Sequence, residues 1–347
     1  MNRWTGPVNV TLLTLLVIAT TSGVLAFAAG AEPGSGVVVA VHGGAGLGLL
    51  LLAPAKTAIA RRGLRRPGRP RKAVSSAFTA LVLLAVGSGL LHAVGGFAPF
   101  VGLLPMQIHV GSAVGVVVLL VAHVLAHHLR RMRWRPLLPR TGPGRTDLDR
   151  RIALRGALLV VGAAALWTGA LWTVAPGRER RFTGSHDVGS GDPTLMPVTQ
   201  WLFDLVPRIP AADWRLQVTR QGVGAQPRDA AALAALPQRT DRAVLDCTGG
   251  WYAEQEWRGV PLSALGLPPG ASLDVVSATG YRRRFPAADA DALLLATHAA
   301  RRPLSVGHGG PARLVAPGRR GFWWVKWVVA IEVVEEPWWW QPPFPLQ

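Results

Sequence analysis

The feature that most limits the fold is an alternation of long apolar runs with arginine-rich connectors. The runs lie at about 8–30, 36–60, 73–95, 105–128 and 153–175. Each holds about 20 residues, enough at 1.5 Å per residue to cross a hydrocarbon core of roughly 30 Å. After Pro176 the pattern changes to short β-rich runs broken by Pro and Gly turns. The expected architecture is an all-α transmembrane bundle of five helices over 1–176, followed by an α+β domain over 177–347.

The net charge of +18 follows the same division. Residues 1–176 hold 18 Lys and Arg against 3 acids, whereas 177–347 hold 19 against 16. The excess sits between apolar segments, chiefly in 61–72 and 130–151, where the positive-inside rule puts it. Both connectors are therefore expected in the cytoplasm, with the N-terminus inside and the domain after Pro176 outside. No basic face with interleaved aromatics marks the second half, so nucleic acid is not expected as a partner. The first run lacks a small-residue cleavage site followed by a soluble domain and reads as an anchor.

Histidine within hydrocarbon is costly and signals function. His42, His92 and His109 fall near the outer ends of their runs, and His123 lies deeper in the fourth. Imidazoles from facing helices of a bundle are the usual ligands of a b-type haem. Here the preferred iron-binding pair is His42 with His109, and His92 and His123 are the alternates. Hydrogen-bonded packing in a plain anchor is the competing reading. The arrangement resembles the cytochrome b561-like membrane domains. Arg150-Arg151, with Leu154 and Arg155 before the last run, resembles a twin-arginine export signal.

Cys247 is the single cysteine of 347 residues, which excludes an internal disulfide and a multi-cysteine metal site. It stands between Asp246 and Thr248-Gly249-Gly250, read as a strand entering an open turn. A buried apolar thiol is the plainer reading of such a residue. Other elements expected are strands near 214–218, 243–247, 273–277, 304–306, 312–315 and 324–334, and short helical segments at 229–236 and 262–267. Residues 183–193 read as a polar linker. Neither a glycine-rich phosphate loop nor a serine nucleophile elbow is present.

Three blocks in order span about 80 residues. They are Cys247 with Trp257-Arg258-Gly259-Val260-Pro261-Leu262, then His308 to Gly318, then Gly321-Phe322-Trp323-Trp324-Val325-Lys326-Trp327. Together they resemble the sulfite oxidase-like molybdopterin domain family. The resemblance implies that the Cys247 thiolate binds molybdenum and that His308, Arg313 and Lys326 hold the pterin or its phosphate. Arg supplies a bidentate fork for phosphate and Lys a point charge. Trp251, Tyr252 and Arg258, near the cysteine in sequence, are candidates for the substrate side. Arg282-Arg283-Arg284 reads either as an anion funnel or as an exposed hairpin face. The family has glycine where Ala300-Arg301-Arg302 stands here. Residues 335–347 are expected to rest on the membrane interface or on the domain.

The expected activity is two-electron oxygen-atom transfer on a small sulfoxide, N-oxide or sulfite-like substrate. Electrons would pass through haem to or from quinone or another carrier in the membrane. A non-catalytic molybdopterin-fold module on a plain helical anchor is the alternative.

Overall fold

The computed structural model describes residues 5–28, 35–64, 69–95, 97, 99, 102–131, 158, 161–163, 165, 166, 169, 181–201, 204–220, 223, 224 and 227–345. The chain divides into two compact units: 1–26, 33–178 and 182–184 in one, 27–32, 179–181 and 185–347 in the other.

The first unit contains α1 (Thr5–Ala28), α2 (Ser35–Leu64), α3 (Arg69–Gly95) and α4 (Pro105–Arg131). Val8–Ala28, Gly36–Ala58, Ser76–Val94 and Pro105–Ala122 are long and apolar enough to cross a membrane, with mean hydropathies of 2.1, 2.0, 2.0 and 1.8. Their packing is the reverse of that in a water-soluble bundle. Leu13, Val17, Leu51, Leu83, Leu91, Val114 and Val118 point outward, while Ser22, Ala45, Ser88, Ala93 and Ser112 are buried. Small residues inside let helices approach closely, and an apolar exterior suits lipid. In water each outward Leu or Val would forgo about 1.5–3 kcal/mol of burial. The expected fifth span falls mostly outside the described residues, as do Arg150 and Arg151; the described positions between 158 and 169 are helical.

The second unit is built on two sheets. Its elements are β1 (His186–Asp187), β2 (Gln217–Arg220), β3 (Val223–Gly224), α5 (Ala230–Ala234), β4 (Arg239–Asp246), β5 (Trp251–Pro261), β6 (Ser272–Ser277), β7 (Arg282–Pro286), β8 (Leu294–Ala299), β9 (Arg302–Pro303), β10 (Arg313–Val315) and β11 (Val328–Val334). In the six-stranded sheet, β4 lies along one edge of the long β5, and β1 and then β8 lie along the other. β8 continues to β10 and β9. The second sheet has the order β3-β2-β11-β6-β7, with β11 parallel to β2 and antiparallel to β6.

Strand β5 shows the period-two alternation of a half-buried strand. Trp251, Ala253, Gln255 and Trp257 are buried, while Glu256 and Arg258 on the other face are exposed. At Gly259 the pairing with β8 shifts register. A Cβ there would stand 2.0 Å from the Leu295 carbonyl oxygen, so only glycine permits this approach. Asp229 caps α5 by accepting from the Ala232 N–H at 2.8 Å.

Three expectations are corrected. Residues 304–306 do not form a strand: Val306–His308 is a 3-10 turn. The final strand starts at Val328 rather than 324, because Trp327 has φ +52° and breaks the extended run. The stretch read as a linker contains β1, with Ser185 and His186 buried. Where glycine was expected, Ala300 and Arg301 adopt φ of +44° and +63° to make the β8–β9 turn, each at a cost of about 1 kcal/mol.

Candidate molybdopterin site

The turn after β4 sets the cysteine. Cys247 N–H donates to Trp251 O at 2.8 Å and Gly250 N–H to Cys247 O at 3.2 Å, closing a tight loop into β5. Sγ then faces a cleft, with the Gly249 N–H aimed at it from 3.3 Å and Thr199 Oγ1 at 3.5 Å. A thiol sulfur so placed is open to a ligand in the cleft. Asp246 anchors the turn from behind. Its buried carboxylate takes Arg320 Nη1 at 2.5 Å, Arg181 Nε at 3.0 Å and Ser185 Oγ at 2.7 Å.

Two cations line the same cleft. Arg313 is buried, stacked 5.2 Å from the Trp257 ring centre, and donates through Nη1 to His308 O at 3.0 Å. Burial lowers its pKa to about 10, against the opposing pull of Cys247. Lys326 Nζ donates to Thr199 O and Gly307 O, both at 2.8 Å, which leaves one of its three protons free. Burial first and Arg313 second lower its pKa to about 7, while Cys247 and Asp204 act the other way. Among the described residues neither cation has a carboxylate within ion-pair distance.

Trp251 Nε1 and Gln200 Nε2 also line the cleft as buried donors with no acceptor among the described atoms. Buried donors without an acceptor, and a buried guanidinium without an ion-pair partner, are costly alone. They fit a ligand that is anionic, rich in acceptors and bound to a soft metal beside the thiolate, the chemistry of a molybdenum pterin phosphate.

Of the expected residues, Cys247, His308, Arg313 and Lys326 come together at this cleft. His308 differs from the reading in one respect. Its Nε2 donates to Met196 O at 3.0 Å and its Nδ1 accepts from Ser305 at 2.8 Å. Both nitrogens are engaged, and burial, the largest influence, keeps the ring neutral by lowering its pKa. It shapes the wall rather than offering a hydrogen bond. Tyr252 and Arg258 are not brought to the cleft. Tyr252 pairs with Asp246 across the strands and lies under Arg181, on the face opposite Trp251. Arg258 is exposed, paired with Thr240 and His298, six residues or about 20 Å further along β5.

Of the arginine triplet, Arg282 is exposed, Arg284 pairs with Asp274 at 2.8 Å, and Arg283 is buried 4.0 Å above the Trp323 ring centre. Residues near the C-terminus pack on the domain, with Trp201 Nε1 donating to Pro345 O and Arg283 Nη1 to Pro342 O. Thr199, Gln200, Asp204 and Tyr281 line the cleft and were not anticipated. Burial, the largest influence, raises the Asp204 pKa, with Thr279 and Lys326 opposing.

In the first unit His42 and His109 meet, with Nε2 atoms 3.4 Å apart. His92 does not join them; its Nε2 lies 3.1 Å from the Gly184 carbonyl. The His123 side chain lies outside the described residues.

No curated protein matches the chain. Among solved structures it is similar to the sulfane dehydrogenase SoxCD from Paracoccus pantotrophus, at 29% identity and a TM-score of 0.36. That match covers 38% of this chain and spans 40% of the other. Residues 204–340 match the family model of the oxidoreductase molybdopterin binding domain.

Proposed function

We propose that the chain is a membrane-bound molybdenum oxidoreductase acting on a small sulfoxide, N-oxide or sulfite-like substrate, with electrons exchanged through haem and a quinone-like carrier. The observation that carries the reading is one thiol facing a buried Arg313 and a half-buried Lys326, neither with an ion-pair partner among the described residues, together with two N–H donors that have no acceptor there. The molybdenum pterin supplies the two-electron oxygen-atom transfer when bound. The protein residues do the rest. Cys247 holds the metal through sulfur, and the Gly249 N–H, 3.3 Å away, orients that sulfur. Arg313 and the free proton of Lys326 neutralise phosphate, and Trp251 and Gln200 donate to the remaining acceptors. Asp204 lines the cleft and accepts from Thr279 Oγ1 at 3.1 Å.

The paired His42 and His109 support a haem in the membrane unit, and the basic connectors support a domain outside the membrane. Molybdenum and haem quantification on the full chain, beside Cys247→Ser, tests the reading. Wild-type protein should bind molybdenum in near-stoichiometric amount, and the serine variant should lose it while remaining folded. Well-folded wild-type protein without molybdenum after expression in a cofactor-producing host would point instead to a non-catalytic binding module. A mediator-dye screen with sulfoxides, N-oxides and sulfite then identifies the substrate class.

A further inference from the structure

Helices α1–α2 and α3–α4 carry the same residues at six corresponding places. Ala19, Ser22 and Gly23 of α1 recur in α3 as Ala85, Ser88 and Gly89, with identical spacing. His42, Gly44 and Gly48 of α2 recur in α4 as His109, Gly111 and Gly115, again with identical spacing, and small residues, Ala45 and Ser112, hold the corresponding place between the glycines. The contacts repeat with the residues. His42 Nδ1 lies 2.9 Å from Ala19 O, and His109 Nδ1 lies 2.7 Å from Ala85 O. Ser22 and Ser88 each donate back to a carbonyl one turn earlier, at 2.5 and 2.6 Å. A Cβ on Gly23 would stand 2.9 Å from His42 Cε1, and one on Gly89 would stand 2.9 Å from His109 Nδ1.

A carbonyl only accepts, so both Nδ1 atoms carry the proton. With the proton on Nδ1, each ring turns an Nε2 lone pair toward the other across 3.4 Å, with the ring planes crossing at 89°. Facing lone pairs repel unless an electron-pair acceptor lies between them. Two in-line metal–nitrogen bonds of about 2.0 Å need about 4 Å, a small outward shift of each ring. Among the described residues no group of three or more His, Cys, Asp or Glu could hold a metal ion. A metal held by these two imidazoles takes no further ligand from the described residues, which suits one that brings its own, as the iron of a macrocycle does.

We infer that these helices are two copies of one hairpin, each giving half of a single bis-imidazole site, and that Gly23 and Gly89 are its positioning residues. With no side chain of their own, they let each imidazole lie flush on the neighbouring helix, and this contact holds the two ring planes at right angles. The inference rests on the haem reading above.

Electron paramagnetic resonance of the full-length ferric protein tests it. Perpendicular imidazole planes leave the iron orbitals nearly degenerate and give a strongly anisotropic low-spin signal, whereas parallel planes give a rhombic one. The wild type should show the anisotropic signal from a single haem. Gly23→Ala and Gly89→Ala should each move it toward rhombic or lose the low-spin form. Gly87→Ala, whose added carbon meets nothing within 4 Å, should leave it unchanged. A rhombic wild-type signal, or alanine variants indistinguishable from Gly87→Ala, overturns the inference while leaving haem binding intact. Protein that binds no haem overturns both the haem reading and this inference. Should the alanine variants fail to accumulate, the wild-type line shape still decides.

Discussion

Asp246→Asn tests how the cysteine turn is held. The Asp246 side chain is 2% exposed and that of Arg320 is 5% exposed. Removing one member of so buried a pair leaves an uncompensated charge, at a cost of about 3–5 kcal/mol. Arg181, 24% exposed, adds no more than about 0.2–1 kcal/mol. Taking about 4 kcal/mol together, and about 2–4 °C per kcal/mol for a domain of this size, the melting midpoint should fall by about 8–16 °C. Thermal scans followed by tryptophan fluorescence measure it. Arg320→Met alone removes the cation, and the double variant removes both partners. If the stranded guanidinium causes the loss, the double variant should recover part of what Asp246→Asn loses. A fall of less than about 3 °C, or strictly additive single effects, would refute the account.

Three further outcomes are expected. Gly259→Ala should destabilise the domain by about 3 kcal/mol or more, seen in the same scans, because its new carbon would meet Leu295 O and the Ala296 Cα. Lys326 falls from its usual value to about 7, so between pH 7 and roughly 10 the folded state binds fewer protons than the unfolded one. The stability of cofactor-free protein should accordingly rise with pH across that window, by at most about 1.4 kcal/mol per unit, and be lost as pH falls toward 7. Urea midpoints at low and high pH read this slope, which Lys326→Met should abolish. Tyr252→Phe and Arg258→Ala should leave molybdenum content and mediator-dye turnover unchanged; loss of either property would return that residue to the cleft.

Much of this architecture was legible because its signals are local. Spans are readable from apolar length, and the cysteine, Arg313 and Lys326 from blocks with fixed spacing. The side of β5 that Tyr252 and Arg258 occupy was readable too. Trp251, Ala253 and Trp257 alternate with Tyr252, Glu254, Glu256 and Arg258, and the period places the second set away from the core. The Ala-x-x-Ser-Gly and His-x-Gly repeats of the helices were likewise present in the sequence. Thr199, Gln200 and Asp204 could not be read in this way. They come from an irregular segment with no motif, about 45 residues before the cysteine, and only tertiary contacts such as Lys326 with Thr199 O bring them in. Two-residue β1 is defined by its pairing with β5, which no local pattern announces.

The position of β11 bears on how the domain is made. It is the middle strand of its sheet, between β2 and β6, yet it is the last strand of the domain to be synthesised. Until it arrives, β2 and β6 have no neighbour between them, and the Trp214 indole lacks the Val328 carbonyl to which it donates at 2.8 Å. Lys326, two residues before this strand, reaches the cleft at the same late stage. A growing chain therefore cannot assemble this sheet piece by piece from its N-terminal side. Synthesis of this last strand, rather than of any earlier one, is the event that closes the sheet and completes the cleft.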